Sequence, residues 1–303
     1  GTNAQFDALA TITDANAAGT NLTFSDTASI DLSSSELAID GQNLDVITLT
    51  GNGNSITINA TNIAKIGSDV VAAGTGDTLV LEDTSTVTDN IFNAFEVLTA
   101  GTGDINITDA GLDVARTING SAGDNSIILN GVAAAKTVDL SSGGTDTVTV
   151  SMDATATTTV RGFTSGDDVF NVLTEGDAAT DVTFNVVSTT GFTATSAATD
   201  ASQGIVLVGS SFQISGALTA TGDAGAVEAA IIAAGLVGIN TTNDDNEFLM
   251  FAIDNGTDTG IYRVQIAAGA DTGFNAADDM DNITLVGILE GVTTDGLVAA
   301  DII

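Results

Sequence analysis

Gly74-Thr75-Gly76-Asp77-Thr78-Leu79-Val80-Leu81 and Gly143-Gly144-Thr145-Asp146-Thr147-Val148-Thr149-Val150 share one pattern. A glycine-rich turn closes on Asp, and four residues follow that alternate in β-branched and apolar character. Gly51-Asn52-Gly53-Asn54 precedes Ser55-Ile56-Thr57-Ile58 in the same way, and Gly101-Thr102-Gly103-Asp104 precedes Ile105-Asn106-Ile107-Thr108. Ser121-Ala122-Gly123-Asp124 leads to Ser126-Ile127-Ile128-Leu129, and Ser165-Gly166-Asp167-Asp168 leads to Val169-Phe170-Asn171-Val172. Anchored on Asn54, Asp77, Asp104, Asp124, Asp146 and Asp168, the steps are 23, 27, 20, 22 and 22 residues.

A period near 20–25 with one turn and one or two short strands reads as a solenoid. One unit cannot close a core, so units stack and bury a continuous apolar ladder. The alternation points one face of each strand inward. The absence of Pro fits a chain in which nearly every backbone N–H joins a ladder. Weaker units are expected at Ser25 to Leu32 and Gly41 to Thr50, giving about eight or nine rungs in all. From 176 to 216 strand character persists without the Gly-Asp turn, as a cap or transition.

Beyond this the pattern changes. Ala224 to Ala234 is Ala- and Ile-rich, follows Asp223 as a candidate N-cap and stops at Gly235, which predicts a helix. Glu247 to Ile253 and Ile261 to Ile266 flank a turn rich in Asp, Asn and Gly, which predicts a hairpin, and Ile283 to Leu289 predicts a further strand. The expected fold is mainly β. A parallel β-solenoid of the β-roll or β-spiral kind spans 1–216, and a small α+β module spans 217–303.

Composition narrows the chemistry. The chain has 303 residues, 40 acidic against 5 basic, a net charge of −35, and no His, Cys, Pro or Trp. Without His or Cys there is no Ser-His-Asp triad, Cys-His dyad, zincin site, haem or Fe–S ligation. Lys65, Lys136, Arg116, Arg161 and Arg263 are scattered along the sequence and form no nucleic-acid patch. Apolar residues make up 43%, enough to bury a core. No apolar run reaches membrane-spanning length, and no classical N-terminal signal peptide is expected.

The acids are 33 Asp and 7 Glu. Asp favours turns and short-reach oxygen ligation, so the charge concentrates where the chain bends. Calcium takes six to eight oxygen ligands from carboxylates and carbonyls. Glycines let a turn curl its carbonyls together, one Asp completes a half-site, and stacked turns can hold ions between rungs. The candidate ligands are Asp77, Asp104, Asp124, Asp146, Asp167 and Asp168. The acidic segment Asp271 to Asp281 adds Asp271, Asp278, Asp279 and Asp281, although it lacks EF-hand spacing.

These turns resemble the RTX family of calcium-binding β-rolls, whose nonapeptide is Gly-Gly-x-Gly-x-Asp-x-U-x. Ala100-Gly101-Thr102-Gly103-Asp104-Ile105 and its relatives keep Gly-x-Gly-Asp and the following apolar residue. They depart from the family in not repeating tandemly every nine residues. The C-terminal region, from Phe248 to Arg263, through Ile283 to Gly287, to the ending Asp301-Ile302-Ile303, is similar to type I-secreted bacterial surface proteins, including RTX-like and S-layer proteins. That resemblance implies an uncleaved C-terminal secretion signal and an extracellular location.

The expected function is a secreted, calcium-stabilised, self-assembling structural protein of the bacterial surface or extracellular matrix, not an enzyme. Its expected partners are Ca2+, copies of itself stacked end to end or in a lattice, and cell-surface polysaccharide. No nucleic acid and no membrane span are expected. The alternative is an adhesin stalk or carrier fragment of a larger secreted protein. A carboxylate-dependent polysaccharide lyase or hydrolase, with pairs such as Asp167/Asp168 or Asp278/Asp279, gains weight only if a pocket holds two carboxylates with a cation beside them. The Thr-rich run Thr155 to Thr159 suggests ice binding, but other rungs lack the Thr-x-Thr ladder that needs.

Overall fold

The computed structural model describes residues 20–24, 29–33, 44–63, 66–72, 74–83, 85–87, 95–109, 115–129, 134–151, 156–173, 187–188, 205–207, 213–218, 224–234, 248–266, 280–298 and 300–302. The chain is mainly β, and its parallel stacked sheets form a β-solenoid of about five turns, against the eight or nine rungs expected. It divides into two compact units, Gly1–Asp146 and Thr147–Ile303. This contact division is different in kind from the change of motif at 216/217.

In the first unit, β1 (Thr20–Phe24), β3 (Leu44–Leu49) and β5 (Ile66–Ala72) form one sheet. The long sheet stacks β2 (Ser29–Asp31), β4 (Ser55–Ile58), β6 (Thr78–Leu81), β8 (Val97–Ala100), β10 (Arg116–Asn119) and β12 (Lys136–Asp139). The third sheet runs through β7 (Ser85–Val87), β9 (Asn106–Asp109) and β11 (Ser126–Leu129). Among the described residues these strands pair in parallel, as in Ser55↔Thr78 and Thr78↔Val97. A one-turn helix, α1 (Ala60–Ile63), follows β4.

Alternation decides what faces inward. β4, β6 and β8 bury every second residue. Ile56, Leu79, Leu98, Ile118 and Val138 thus line up in one core row, with Ile58, Leu81 and Ala100 in the next. Burying a Leu or Ile side chain contributes about 1.5–3 kcal/mol, so each rung adds stability only where a neighbour covers it.

The 27-residue step has a structural cause. The turns at 51–54 and 74–77 lead from the first sheet into β4 and β6 of the long sheet. Those at 101–104 and 121–124 lead out of β8 and β10 into β9 and β11. The motif therefore changes corner once, and the extra residues cover the passage.

In the second unit, β13 (Thr147–Ser151) pairs in parallel with β15 (Val169–Leu173). β14 (Thr158–Arg161) pairs in parallel with β20 (Met280–Leu289), which continues antiparallel into β19 (Thr259–Ile266) and β18 (Phe248–Asp254). β16 (Val187–Ser188) and β17 (Ile205–Leu207) extend the sheet beyond β18. The predicted helix is α2 (Ala224–Ala234), and the predicted hairpin is β18–β19. Val227, Ala230 and Ile231 of α2 pack on Phe251, Ile253, Tyr262, Val264 and Leu285.

Candidate functional site: the stacked turns

Asp77 and Asp146, two of the predicted calcium ligands, point into the solenoid. Asp77 lies two residues before buried Leu79, and Asp146 two before buried Val148, so both share the inward phase of the strand they introduce. Asp77 is 0% exposed and Asn54 1%. The Asn54 backbone N–H and its Nδ2 both donate to Asp77 Oδ1, at 2.7 and 2.8 Å, while Nδ2 also reaches Gly51 O at 2.9 Å. The same staple recurs one sheet over. Asn125 N and Nδ2 donate to Asp146 Oδ1 at 2.8 and 2.7 Å, and Nδ2 also reaches Gly123 O at 2.7 Å. An Asn on one rung thus holds an Asp on the next through one carboxylate oxygen. Asp77 Oδ2, by contrast, is buried with no hydrogen-bond partner among the described residues.

Asp104 and Asp124 point outward and are exposed. They too tie rungs together: Asp124 N donates to Asp104 Oδ1 at 3.0 Å, and Thr145 N to Asp124 Oδ1 at 2.8 Å. Asn52 plays this part for Thr75 N at 3.2 Å. In the second unit, buried Asp168 accepts Thr164 N at 2.7 Å within its own turn, and Asp167 is exposed. Asp271, Asp278 and Asp279 lie outside the described residues, and of Asp281 only its place in β20 is described. Among the described residues, no group of three or more acids converges as a metal site.

The glycines divide by role. Gly53, Gly76 and Gly103 have φ of 70°, 76° and 73°, which L side chains resist. Gly74 and Gly123 are spaced for contact: an added Cβ would fall 1.9 Å from Gly51 O and 2.3 Å from Gly103 C.

A second polar row was hidden by the apparent scatter of the cations, which the fold corrects. The parallel register places Asn54, Asp77, Glu96, Arg116 and Lys136 in one column at the entrance to the long sheet. Arg116 is 4% exposed and Lys136 2%, so two of the five cations lie inside, stacked beyond two acids. Glu96 Oε2 accepts Asp77 N at 3.0 Å. The spacing 77, 96, 116, 136 was the available signal, but it has meaning only once the register is known.

In the second unit an open cleft of about 460 Å³ is lined by Thr159, Leu218, Asp258, Ile288 and Glu290. Two carboxylates, Asp258 and Glu290, are among its lining residues, and Arg161, which does not line it, pairs with the second. Arg161 Nε meets Glu290 Oε2 at 2.8 Å, and Asp258 Oδ1 accepts Gly291 N at 2.8 Å. Both acids are thus engaged, one by a guanidinium and one by a turn amide.

The C-terminal residues were expected to be a secretion signal. In the fold, Asp301 and Ile302 are buried. Asp301 accepts Ser165 Oγ at 2.6 Å and Gly166 N at 2.8 Å, and Ile302 bridges Phe170 in parallel. No described helix is long and apolar enough to cross a membrane. The chain matches no protein-family model, no curated protein and no solved structure.

Proposed function

We propose that this chain is a secreted structural protein of the bacterial surface or extracellular matrix that assembles with copies of itself and is stabilised by calcium. The observation that carries the reading is how the turns use their polar groups. Asn54, Asn125, Asp77, Asp146, Asp104 and Asp124 all bond to the adjacent rung. Chemistry that an enzyme would aim at a substrate is used here to stack a ladder. Calcium acts on the outward acids Asp83, Asp104 and Asp124, which lie exposed on consecutive rungs.

Negative-stain microscopy of the purified chain, with calcium and after excess chelator, tests this. Sheets or filaments that dissolve on chelation support it. Dispersed rods at high concentration favour the adhesin-stalk reading instead. Assemblies that survive chelation unchanged remove calcium from the account. Calorimetry on Asp104→Ala/Asp124→Ala should show weaker calcium binding, and unchanged binding counts against the outward acids.

The cleft lined by Asp258 and Glu290, with Arg161 paired to Glu290, favours a second reading, action on a polysaccharide. New reducing or unsaturated ends from glycans incubated with the chain, lost in Asp258→Asn/Glu290→Gln, would establish it.

A further inference from the structure

The segment at 301–302 imitates a rung. β15 lies at the edge of its sheet, and such an edge accepts another strand. Ile302 takes that place, bridging Phe170 in parallel, the sense in which β13 and β15 pair. Phe170 N donates to Asp301 O at 2.7 Å. Gly166 N donates to Asp301 Oδ1 at 2.8 Å, much as Asn54 N and Asn125 N donate to the Asp of the following rung. Asp301 thus ties the turn at 165–168 to a neighbouring strand, as Asp77 and Asp146 tie earlier turns, although it arrives 135 residues later and sits one residue further into its strand.

The tip is also self-contained. Val298 N donates to Asp301 Oδ2 at 2.8 Å, and Asp301 N to Val298 O at 3.0 Å, so Asp301 is tied to Val298 as well as to the slot. Upstream, Thr294 is fixed to Asp254 through its N–H and hydroxyl. Between these anchors Asp295, Gly296 and Val298 are exposed, Val298 by 50%, and Leu297 is buried.

We propose that this tip exchanges between copies of the chain, so that Asp301 and Ile302 of one molecule fill the slot at Ser165, Gly166 and Phe170 of another. Every contact of the slot is the same whether the tip comes from its own chain or a second copy. Linker length and concentration then decide the choice, as in domain swapping. Exchange of this kind gives closed pairs or rings where the rotation between copies closes, and filaments where it does not. The inference rests on the self-assembly reading and supplies its linkage.

The test is light scattering on the full chain across concentration, with circular dichroism to confirm folding. The samples are the natural sequence, Asp301→Ala, Ser165→Asp, and an equal mixture of the two variants. The natural chain should gain mass with concentration. Each variant alone should need at least tenfold more protein to associate. Asp301→Ala lacks the tip's anchor, and Ser165→Asp sets a carboxylate against Asp301. Mixing should restore pairs but not long polymers, because only the Ser165→Asp tip and the Asp301→Ala slot remain competent.

A folded Asp301→Ala that associates like the natural chain overturns the exchange and leaves self-assembly standing. A natural chain that stays monomeric at all concentrations, with or without calcium, overturns both. A second variant leaves the tip and slot intact. Deleting Gly296 shortens the linker and should increase association. If that variant is monomeric, exchange is refuted whatever the fate of Asp301→Ala.

Discussion

Replacing Asp77 separates a hydrogen-bonding role from a metal-binding one. Asp77→Ala removes the acceptor for Asn54 N and Nδ2. Bonds to a charged group contribute about 1.5–3 kcal/mol each, and a buried donor left unpaired costs about 1–3 kcal/mol. Nδ2 keeps Gly51 O, so the main orphan is the Asn54 N–H. Part of the loss is offset, because Asp77 Oδ2 is buried without a hydrogen bond and its removal relieves that cost. The net expectation is a destabilisation of about 2–4 kcal/mol.

Asp77→Asn differs. Its carbonyl oxygen can take the place of Oδ1, losing charge assistance but also a buried charge, so about 1 kcal/mol or less is expected. The assay is urea unfolding of both variants and the natural chain, with calcium and with chelator. Hydrogen exchange at the Asn54 amide reports the local rung, since stacked repeats can open locally. If Asp77→Asn is as damaging as Asp77→Ala, and both lose the same calcium-dependent stability, the carboxylate charge matters and the staple account is wrong. If Asp77→Ala is neutral, the staple contributes nothing.

Other outcomes follow from the same geometry. Gly123→Ala should destabilise by several kcal/mol because its Cβ meets the Gly103 backbone, whereas Gly103→Ala costs only about 1–2 kcal/mol for its positive φ; equal losses in thermal unfolding would refute the division of roles. Arg116→Met leaves Asp77 and Glu96 on adjacent rungs without the cation that follows them, and should cost about 3 kcal/mol. A double-mutant cycle with Glu96→Gln should show coupling of at least about 1 kcal/mol, and additivity would mean the column does not act as a unit. Asp254→Ala removes the acceptor of Gly256 N, Thr294 N and Thr294 Oγ1, and should speed amide exchange at Gly256 and Thr294 at least tenfold. Unchanged exchange there would count against Asp254 as the anchor.

Local signals were the readable ones. α2 begins and ends where its composition predicts, and β18, β19 and β20 fall on the predicted apolar runs. The orientation of each Asp was also present in the sequence. Asp77, Asp146 and Asp168 stand two residues before Leu79, Val148 and Phe170, which is the inward phase, while Asp104 adjoins Ile105 and is out of phase. The six turns are alike in composition and differ in this phase. The corner change was visible only as one long step, 27 residues among values of 20–23. The seating of Asp301 on Ser165 and Gly166, and the alignment of Glu96 with Arg116, depend on pairings far apart in the chain. Short-range pattern carries no information about them.

The change of corner has an electrostatic consequence. After it, the bends leaving the long sheet carry Asp83, Asp104 and Asp124 on successive rungs, all exposed. Rungs of a parallel sheet are ~4.8 Å apart. Two unit charges in water interact with thermal energy at about 7 Å, from 332/(80·r) set equal to 0.59 kcal/mol. A line of charges spaced more closely than that behaves as a polyelectrolyte and draws a cloud of counterions along its length, as nucleic acid does. Divalent ions enter such a cloud in preference to sodium without being chelated at any one place. This edge of the solenoid therefore attracts counterions along its length, an attraction that falls as salt rises.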